Sequence, residues 1–248
     1  MIENLLQVKG LCKSFGAVQA NKNFNIDIMR GSVHALIGPN GAGKTTALNQ
    51  LSGELIPDTG LITFEGQNIT RLKSYRRSRL GIARSFQITS IFEKMTVEEN
   101  MALSIISKSG HNFRFWQNGL LTSQVRTELG DALESVGLFE RKDVKARHLS
   151  HGEKKQLEVG MALSGKPKLL MLDEPMAGMG PGGTVEMSKL ILRLKETMTI
   201  LLVEHDMEVV FALADTITVL VSGETLARGK PEAIRANEFV RAAYLGDD

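Results

Sequence analysis

GPNGAGKTT, residues 38–46, is the stretch that decides the fold of this chain. It fits the template G-x-x-x-x-G-K-[ST], which ends here in Lys44 and Thr45. The apolar run VHALI at residues 33–37 is typical of a buried strand, and residues 46–55 contain good helix formers. The sequence therefore predicts a phosphate-binding loop between a strand and a helix.

A loop of this kind surrounds phosphate groups with backbone N–H groups, and the following helix N-terminus favours negative charge. We expect Lys44 to reach the outer phosphates of a nucleotide, and the hydroxyl of Thr45 to hold Mg²⁺. The alternative, a glycine-rich turn with an exposed lysine, is disfavoured by the strand and helix on either side. The loop residues expected to bind the nucleotide are Gly38, Pro39, Asn40, Gly41, Ala42, Gly43, Lys44, Thr45 and Thr46.

The composition is that of an ordinary soluble chain, and its 248 residues suffice for one large α/β domain or two small ones. The net charge of +2 gives no electrostatic argument for a nucleic-acid partner. A single cysteine, Cys12, excludes an internal disulfide and suits a reducing compartment. No apolar run approaches the roughly 18 residues of a membrane span, and no signal-peptide pattern opens the chain. If the protein acts at a membrane, we therefore expect another molecule to anchor it there.

Three segments predict a small antiparallel sheet beside the nucleotide core, namely residues 5–11, 24–28 and 60–65. Phe15 lies between the first two. Its ring either offers a flat face on which adenine stacks or packs as a core or hairpin aromatic. Residues 217–221 and 224–228 predict a hairpin, and Pro231 starts a C-terminal helix to about residue 237.

The middle of the chain reads as helical. A capping box at residues 96–99, TVEE, opens the first helix, and Leu129, Leu133 and Val136 are spaced as one helical face. We therefore expect residues 88–160 to form a helical subdomain inserted into a core made of residues 1–87 and 161–248. The basic run at residues 71–79, RLKSYRRSR, is read as a solvated helix face, since a nucleic-acid patch favours interleaved aromatics.

Two acids follow an apolar strand at residues 168–172. Asp173 at the strand end is placed to hold Mg²⁺, and Glu174 to polarise a water for attack on a γ-phosphate. Burying this acidic pair without a cation would be costly, which favours a metal site over a surface turn.

Gln87 and His205 are further candidates, because they follow the predicted strands 81–86 and 199–203. Ligands bind at the carboxyl ends of parallel strands. Gln87 there would contact Mg²⁺ or the attacking water, and His205 would contact the γ-phosphate. Taken alone, Gln87 is more often an ordinary polar residue at a strand end, and His205 a structural histidine.

LSHGEKKQLE, residues 149–158, resembles the LSGGQ signature of ABC-type ATPases. Ser150 and Gly152 match that signature, whereas His151 and Glu153 depart from it. The other motifs occur in the family's order along nearly the whole chain. The resemblance implies an α/β fold: a P-loop (RecA-like) nucleotide core with an antiparallel β subdomain and an inserted α-helical subdomain.

The resemblance also implies a role for each candidate. Phe15 would stack on adenine, Gln87 would be the Q-loop glutamine near the metal, and Asp173 the acid on the metal side. Glu174 would be the catalytic base and His205 the switch histidine. In this family Ser150 and Gly152 face the γ-phosphate of ATP held by a second subunit, so a head-to-tail homodimer or heterodimer is expected. Gly180 stands near the place where the family often has an aspartate that contacts the partner, which puts that side-chain contact in doubt.

Membrane partners follow from the same resemblance. It implies separate membrane permease subunits, an indirectly linked substrate-binding protein, no nucleic acid, and a location on the cytoplasmic face of the cell membrane. LGIARSFQ at residues 80–87, AGMGP at residues 177–181, EHDMEVVFALAD at residues 204–215 and AYLG at residues 243–246 together look like the ATPases of branched-chain amino-acid importers. ATPases for urea import or lipopolysaccharide export share much of this pattern and remain alternatives.

Two rival classes are less favoured. A soluble ABC-type ATPase acting on DNA or ribosomes predicts a long coiled coil, a second ATPase half or a basic face, none of which the sequence contains. A regulatory switch that binds ATP without hydrolysing it is disfavoured by the presence of both Asp173 and Glu174. The cargo itself is not encoded here, since importer specificity lies in other chains.

Overall fold

A computed structural model describes residues 3–85, 91–109 and 123–244 of the chain. The chain divides into two units. The core unit comprises Met1–Arg84, Lys168–Glu174 and Ile191–Asp248, and the helical unit comprises Ser85–Pro167 and Pro175–Leu190. The helical unit is thus wider than the segment 88–160 expected from the sequence, because the stretch after Glu174 packs with it.

The strands of the described residues are β1 Asn4–Phe15, β2 Val18–Met29, β3 Val33–Ile37, β4 Thr59–Phe64, β5 Gln67–Asn68, β6 Ile82–Arg84, β7 Leu169–Asp173, β8 Thr199–Val203, β9 Thr216–Val221 and β10 Glu224–Gly229. The helices are α1 Lys44–Ser52, α2 Ser74–Leu80, α3 Val97–Ser109, α4 Ser123–Ser135, α5 His151–Leu163, α6 Pro181–Lys195, α7 Met207–Leu213, α8 Pro231–Arg235 and α9 Glu238–Tyr244.

A six-stranded sheet forms the centre of the core unit, in the order β10-β9-β3-β8-β7-β6. All neighbouring pairs from β9 to β6 are parallel, and β10 closes one edge as an antiparallel hairpin with β9. Every residue of β3, β7 and β8 is buried, as expected of parallel strands covered on both faces. The carboxyl ends of β3, β8, β7 and β6 therefore lie side by side at one edge.

A second sheet is antiparallel, in the order β2-β1-β4-β5. Leu6, Val8 and Ile62 are among its buried residues, while much of the long β1–β2 hairpin is exposed towards its tip. The predicted antiparallel sheet is confirmed, although β1 and β2 each extend to 12 residues. Together with the parallel sheet, it confirms the predicted α/β fold class.

The helical unit contains α3, α4 and α5. Leu129, Leu133 and Val136, predicted to share one face, are at most 2% exposed. The predicted capping box at the start of α3 is present: the Glu99 N–H donates to Thr96 Oγ1 over 3.1 Å, and the Thr96 N–H donates to Glu99 Oε2 over 2.7 Å. No helix within residues 3–85, 91–109 and 123–244 combines the length and apolar character that crossing a bilayer requires.

The basic run at residues 71–79 differs from its expected solvated character at Arg77, which is 0% exposed. Its guanidinium donates four hydrogen bonds to the backbone carbonyl oxygens of Gln50, Leu51, Thr70 and Leu72, at 2.8–3.0 Å. Two of these carbonyls end α1, where a cation also offsets the helix dipole. Burial lowers the pKa of Arg77 to about 10, so it stays charged at neutral pH.

Candidate functional site

The phosphate loop joins β3 to α1 as predicted, and two of its glycines, Gly38 and Gly43, are required by close backbone packing. A Cβ atom on Gly38 would collide with the carbonyl oxygen of Leu220, and one on Gly43 would collide with that of Ala20. Gly43 also has a φ of 99°, in the left-handed region that favours glycine. The loop is therefore a tight backbone cradle, which is the shape that phosphate binding through N–H groups requires.

Lys44, the first residue of α1, folds back over this loop. It is 8% exposed, and its Nζ donates to the carbonyl oxygens of Gly38 at 2.6 Å and Pro39 at 3.0 Å. Burial lowers the pKa of Lys44, while the negative charges of Glu174 and Asp173 oppose that shift. The fold has thus brought the lysine of the loop within electrostatic reach of both predicted acids.

Asp173 is the last residue of β7 and is 3% exposed. It pairs with Arg84 at the end of the adjacent strand β6, where Arg84 Nη2 donates to Asp173 Oδ2 over 2.8 Å. Glu174 follows with a φ of 49°, a left-handed conformation that is unusual for glutamate, and its N–H donates to the Val203 carbonyl oxygen over 2.9 Å. Such strained backbone concentrates at functional sites.

His205 follows the end of β8. Its side chain is 61% exposed, and its Nδ1 lies 3.7 Å from Oε2 of Glu204, whose side chain is 1% exposed. Asp206, the next residue, caps α7 by accepting from the backbone N–H groups of Glu208 and Val209. His205 is therefore held between a strand end and a capped helix, with its ring directed to the surface.

Phe15 stands at the tip of the β1–β2 hairpin, in register with Val18. Its ring is 52% exposed and lies 5.8 Å from Lys13 Nζ, so it is not a core residue. Gln87 falls outside the described residues.

Ser150 and Gly152 belong to the helical unit, at the start of α5. The Glu153 N–H donates to Ser150 Oγ over 3.2 Å, and the Ser150 N–H donates to Glu153 Oε2 over 2.7 Å. Glu153, a departure from the LSGGQ pattern, thus completes a capping box. His151, the other departure, is hydrogen-bonded through Nε2 to the carbonyl oxygen of Ala177 at 2.9 Å.

Gly152 differs from Gly38 and Gly43, because a Cβ atom added there would meet no atom outside its own helix within 4 Å among the described residues. Packing of the described residues therefore does not demand a glycine at this position in the first turn of α5.

Two residues of the strand edge were missed by reasoning from the sequence. Arg84 lies in the strand that leads to Gln87, and Glu204 directly precedes His205. Both stand at or next to the ends of parallel strands, a position that marks candidate site residues. The sequence reasoning predicted site roles only for Gln87 and His205 at these two strand ends.

The ABC transporter family profile matches residues 21–177 of this chain. A second profile, described as branched-chain amino acid ATP-binding cassette transporter, matches residues 224–248. The high-affinity branched-chain amino acid transport ATP-binding protein LivG of Escherichia coli K12 is 38% identical, with 100% of both chains covered.

Solved structures agree with these matches. The ADP conformation of MJ1267, an ATP-binding cassette of an ABC transporter, has a TM-score of 0.87 and 30% identity, covering 99% of this chain and 100% of that chain. The structure of cbiO1 from Clostridium perfringens, described as part of the ABC transporter complex cbiONQ, has a TM-score of 0.84 and 29% identity, covering 96% of this chain and 92% of that one.

Proposed function

Because this chain belongs to the ABC transporter family, as one of its ATP-binding and ATP-hydrolysing subunits, we propose that it powers the import of branched-chain or related amino acids. The cargo would pass through separate membrane permease subunits, supplied by a substrate-binding protein. We place the chain on the cytoplasmic face of the cell membrane, held there by the permease.

One observation carries the choice of cargo. Residues 224–248, outside the part matched by the general family profile, match a profile specific to branched-chain amino acid ATP-binding cassette transporters. The identity to LivG, by contrast, runs over the whole chain and includes the shared ATPase motifs. The C-terminal match supports branched-chain amino acids over urea or lipopolysaccharide.

ATP binding would begin at the loop Gly38–Thr46. The tight cradle at Gly38 and Gly43 suits phosphate oxygens, and Lys44 carries a buried positive charge to them. The exposed ring of Phe15 offers the adenine a stacking face.

The chemistry of the strand edge suits Mg²⁺, since a hydroxyl and a carboxylate are oxygen ligands. Thr45, Gln87 and Asp173 would hold the ion, which neutralises charge on the phosphates when bound. Glu174 would orient and polarise the attacking water as general base. His205, exposed beside the end of β8, would contact the γ-phosphate and report its loss.

The second half of the site would come from another subunit. Ser150 and Gly152 of that subunit would contact the γ-phosphate across a head-to-tail pair. Open space at Gly152 and the N-terminus of a 13-residue helix suit an approaching anion. ATP would close the pair by contacting both faces, and loss of the γ-phosphate would remove the differential contacts that keep it closed.

Reconstitution tests the cargo directly. The chain is purified with its permease subunits, placed in proteoliposomes with the substrate-binding protein, and supplied with ATP and radiolabelled leucine, valine, isoleucine or urea. We expect ATP-dependent uptake of the branched-chain amino acids, and none with Glu174→Gln. Uptake of urea alone would show that urea is the cargo, and a chain that does not assemble with permease subunits would contradict the transport role.

A further inference from the structure

We propose that Arg84 is a positioning residue that holds the Asp173 carboxylate in the orientation needed by the magnesium ion. This inference rests on the proposed function of the site, and it assigns a role to a residue that received none in the sequence analysis.

Arg84 joins three separate parts of the core unit through one guanidinium group. Nη2 donates to Asp173 Oδ2 over 2.8 Å. Nη1 donates to Asn49 Oδ1 over 2.6 Å and to Glu54 Oε2 over 3.2 Å. Asn49 lies on α1, and Glu54 follows that helix, so the group that binds Asp173 is itself fixed to the helix that starts at Lys44.

Burial makes this arrangement rigid. The side chain of Arg84 is 8% exposed and that of Asp173 is 1% exposed, so solvent screens their pairing little. By comparison, Glu54 is 41% exposed and contributes less to the fixation. The planar guanidinium offers donors in fixed directions, and a lysine ammonium at the same place would supply only a point charge.

Without Arg84, the buried carboxylate would lose the ion pair at its Oδ2 atom. Removing one partner of a buried pair leaves a charge that is poorly compensated, which is costly. The same change removes the hydrogen bond that sets the direction of the two carboxylate oxygens. Arg84 therefore determines how Asp173 presents its carboxylate to a metal ion.

A pair that only joined two strands would also explain the contact, so the test must separate positioning from structural support. Mn²⁺ is a paramagnetic probe for this purpose, and its affinity is measured by electron paramagnetic resonance with the non-hydrolysable analogue AMP-PNP bound. Affinity for AMP-PNP in EDTA and the thermal unfolding midpoint report the loop and the fold independently. The variants are Arg84→Gln, Arg84→Lys and Asp173→Asn, each purified as the full chain.

We expect Arg84→Gln to weaken Mn²⁺ binding about tenfold, the effect typical of removing a hydrogen bond to a metal-ligating group. AMP-PNP affinity in EDTA should change less than about threefold, and Arg84→Lys should fall between wild type and Arg84→Gln. Adding Arg84→Gln to Asp173→Asn should weaken Mn²⁺ binding no further, because Arg84 acts through Asp173.

Arg228→Gln is the control and should leave Mn²⁺ binding unchanged. Arg228 also pairs with an acid, because its Nη1 lies 2.7 Å from Asp27 Oδ2, but it is far along the chain from the motifs.

Unchanged Mn²⁺ binding in Arg84→Gln would overturn the proposal. Tighter Mn²⁺ binding would also overturn it, because it would show that Arg84 competes with the metal for Asp173. An equal loss of AMP-PNP affinity in EDTA would also overturn it and assign Arg84 a structural role. Failure of the proposed function looks different: the wild-type chain itself would then bind no metal–nucleotide complex.

Discussion

The core unit should lose stability in mild acid, because His34 takes up a proton in the unfolded chain and not in the folded one. His34 lies on β3, immediately before the phosphate loop, and is 1% exposed. Its Nε2 is hydrogen-bonded to Thr218 Oγ1 at 2.8 Å on the neighbouring strand β9. Burial, with a smaller contribution from the charge of Arg228, lowers the pKa of His34 from 6.5 to about 3.

The sign and size of the effect follow from proton linkage. Between about pH 3 and pH 6.5 the unfolded chain binds a proton at this imidazole and the folded chain does not, so stability falls as the pH falls through this window. Above pH 6.5 both states are neutral here and the contribution is constant. Each pH unit below 6.5 costs about 1.4 kcal/mol, so the loss reaches about 2 kcal/mol at pH 5.

The assay compares urea unfolding of wild type and His34→Gln by circular dichroism at several pH values. Gln keeps a hydrogen-bonding group for Thr218 and cannot take up a proton, so the difference between the two profiles isolates His34. We expect His34→Gln to have a lower free energy of unfolding than wild type at about pH 8. Between pH 8 and pH 5, the difference should shift by about 2 kcal/mol in favour of His34→Gln. His148→Gln, at an exposed histidine, is the control and should parallel wild type. If the free energies of unfolding of wild type and His34→Gln change in parallel with pH, the claim that His34 stays neutral in the folded chain is refuted.

Three further substitutions test the catalytic and structural assignments. Glu174→Gln should keep ATP binding but lower phosphate release at least about a hundredfold, because a general base is lost; near-normal turnover would exclude that role. Ser150→Arg should leave ATP affinity of the monomer intact and abolish ATP-driven pairing in size-exclusion chromatography; Ser150→Asp retains an N-cap acceptor, so the same result would show that the lost cap is not the cause. Arg77→Met should lower the free energy of unfolding by roughly 3 kcal/mol, since four buried carbonyl oxygens lose their donor, and a change below about 1 kcal/mol in urea unfolding would contradict this.

Much of the strand edge was predictable because its signals are local. An apolar run that stops at a polar residue marks a strand end, and β8 occupies the predicted residues Thr199–Val203. The same pattern located Asp173 at the end of β7. The phosphate loop is likewise defined by consecutive residues, so neither inference needed knowledge of distant contacts.

Arg77 shows why other features were not predictable. Its neighbours in sequence are basic and exposed, which favoured a solvated face. Its partners on α1, Gln50 and Leu51, lie 27 and 26 residues earlier in the chain. A charged side chain is buried only where acceptors from other elements converge, and that convergence is a property of the fold. His34 did carry a signal, since a histidine within a strand buried on both faces must itself be buried.

The pairing of charges at the strand edge depends on strand order, which local patterns do not contain. Neighbouring strands lie about 5 Å apart, so the order β3-β8-β7-β6 separates the end of β7 from that of β3 by about 10 Å and from that of β6 by only about 5 Å. Asp173 therefore pairs with Arg84 on β6, although the sequence motifs associate it with Lys44 after β3. Because β8 lies between them, Lys44 and Asp173 influence each other through charge without forming a direct ion pair. The strand order thus leaves room between the lysine and the acid, which is where the phosphates and their metal would have to fit.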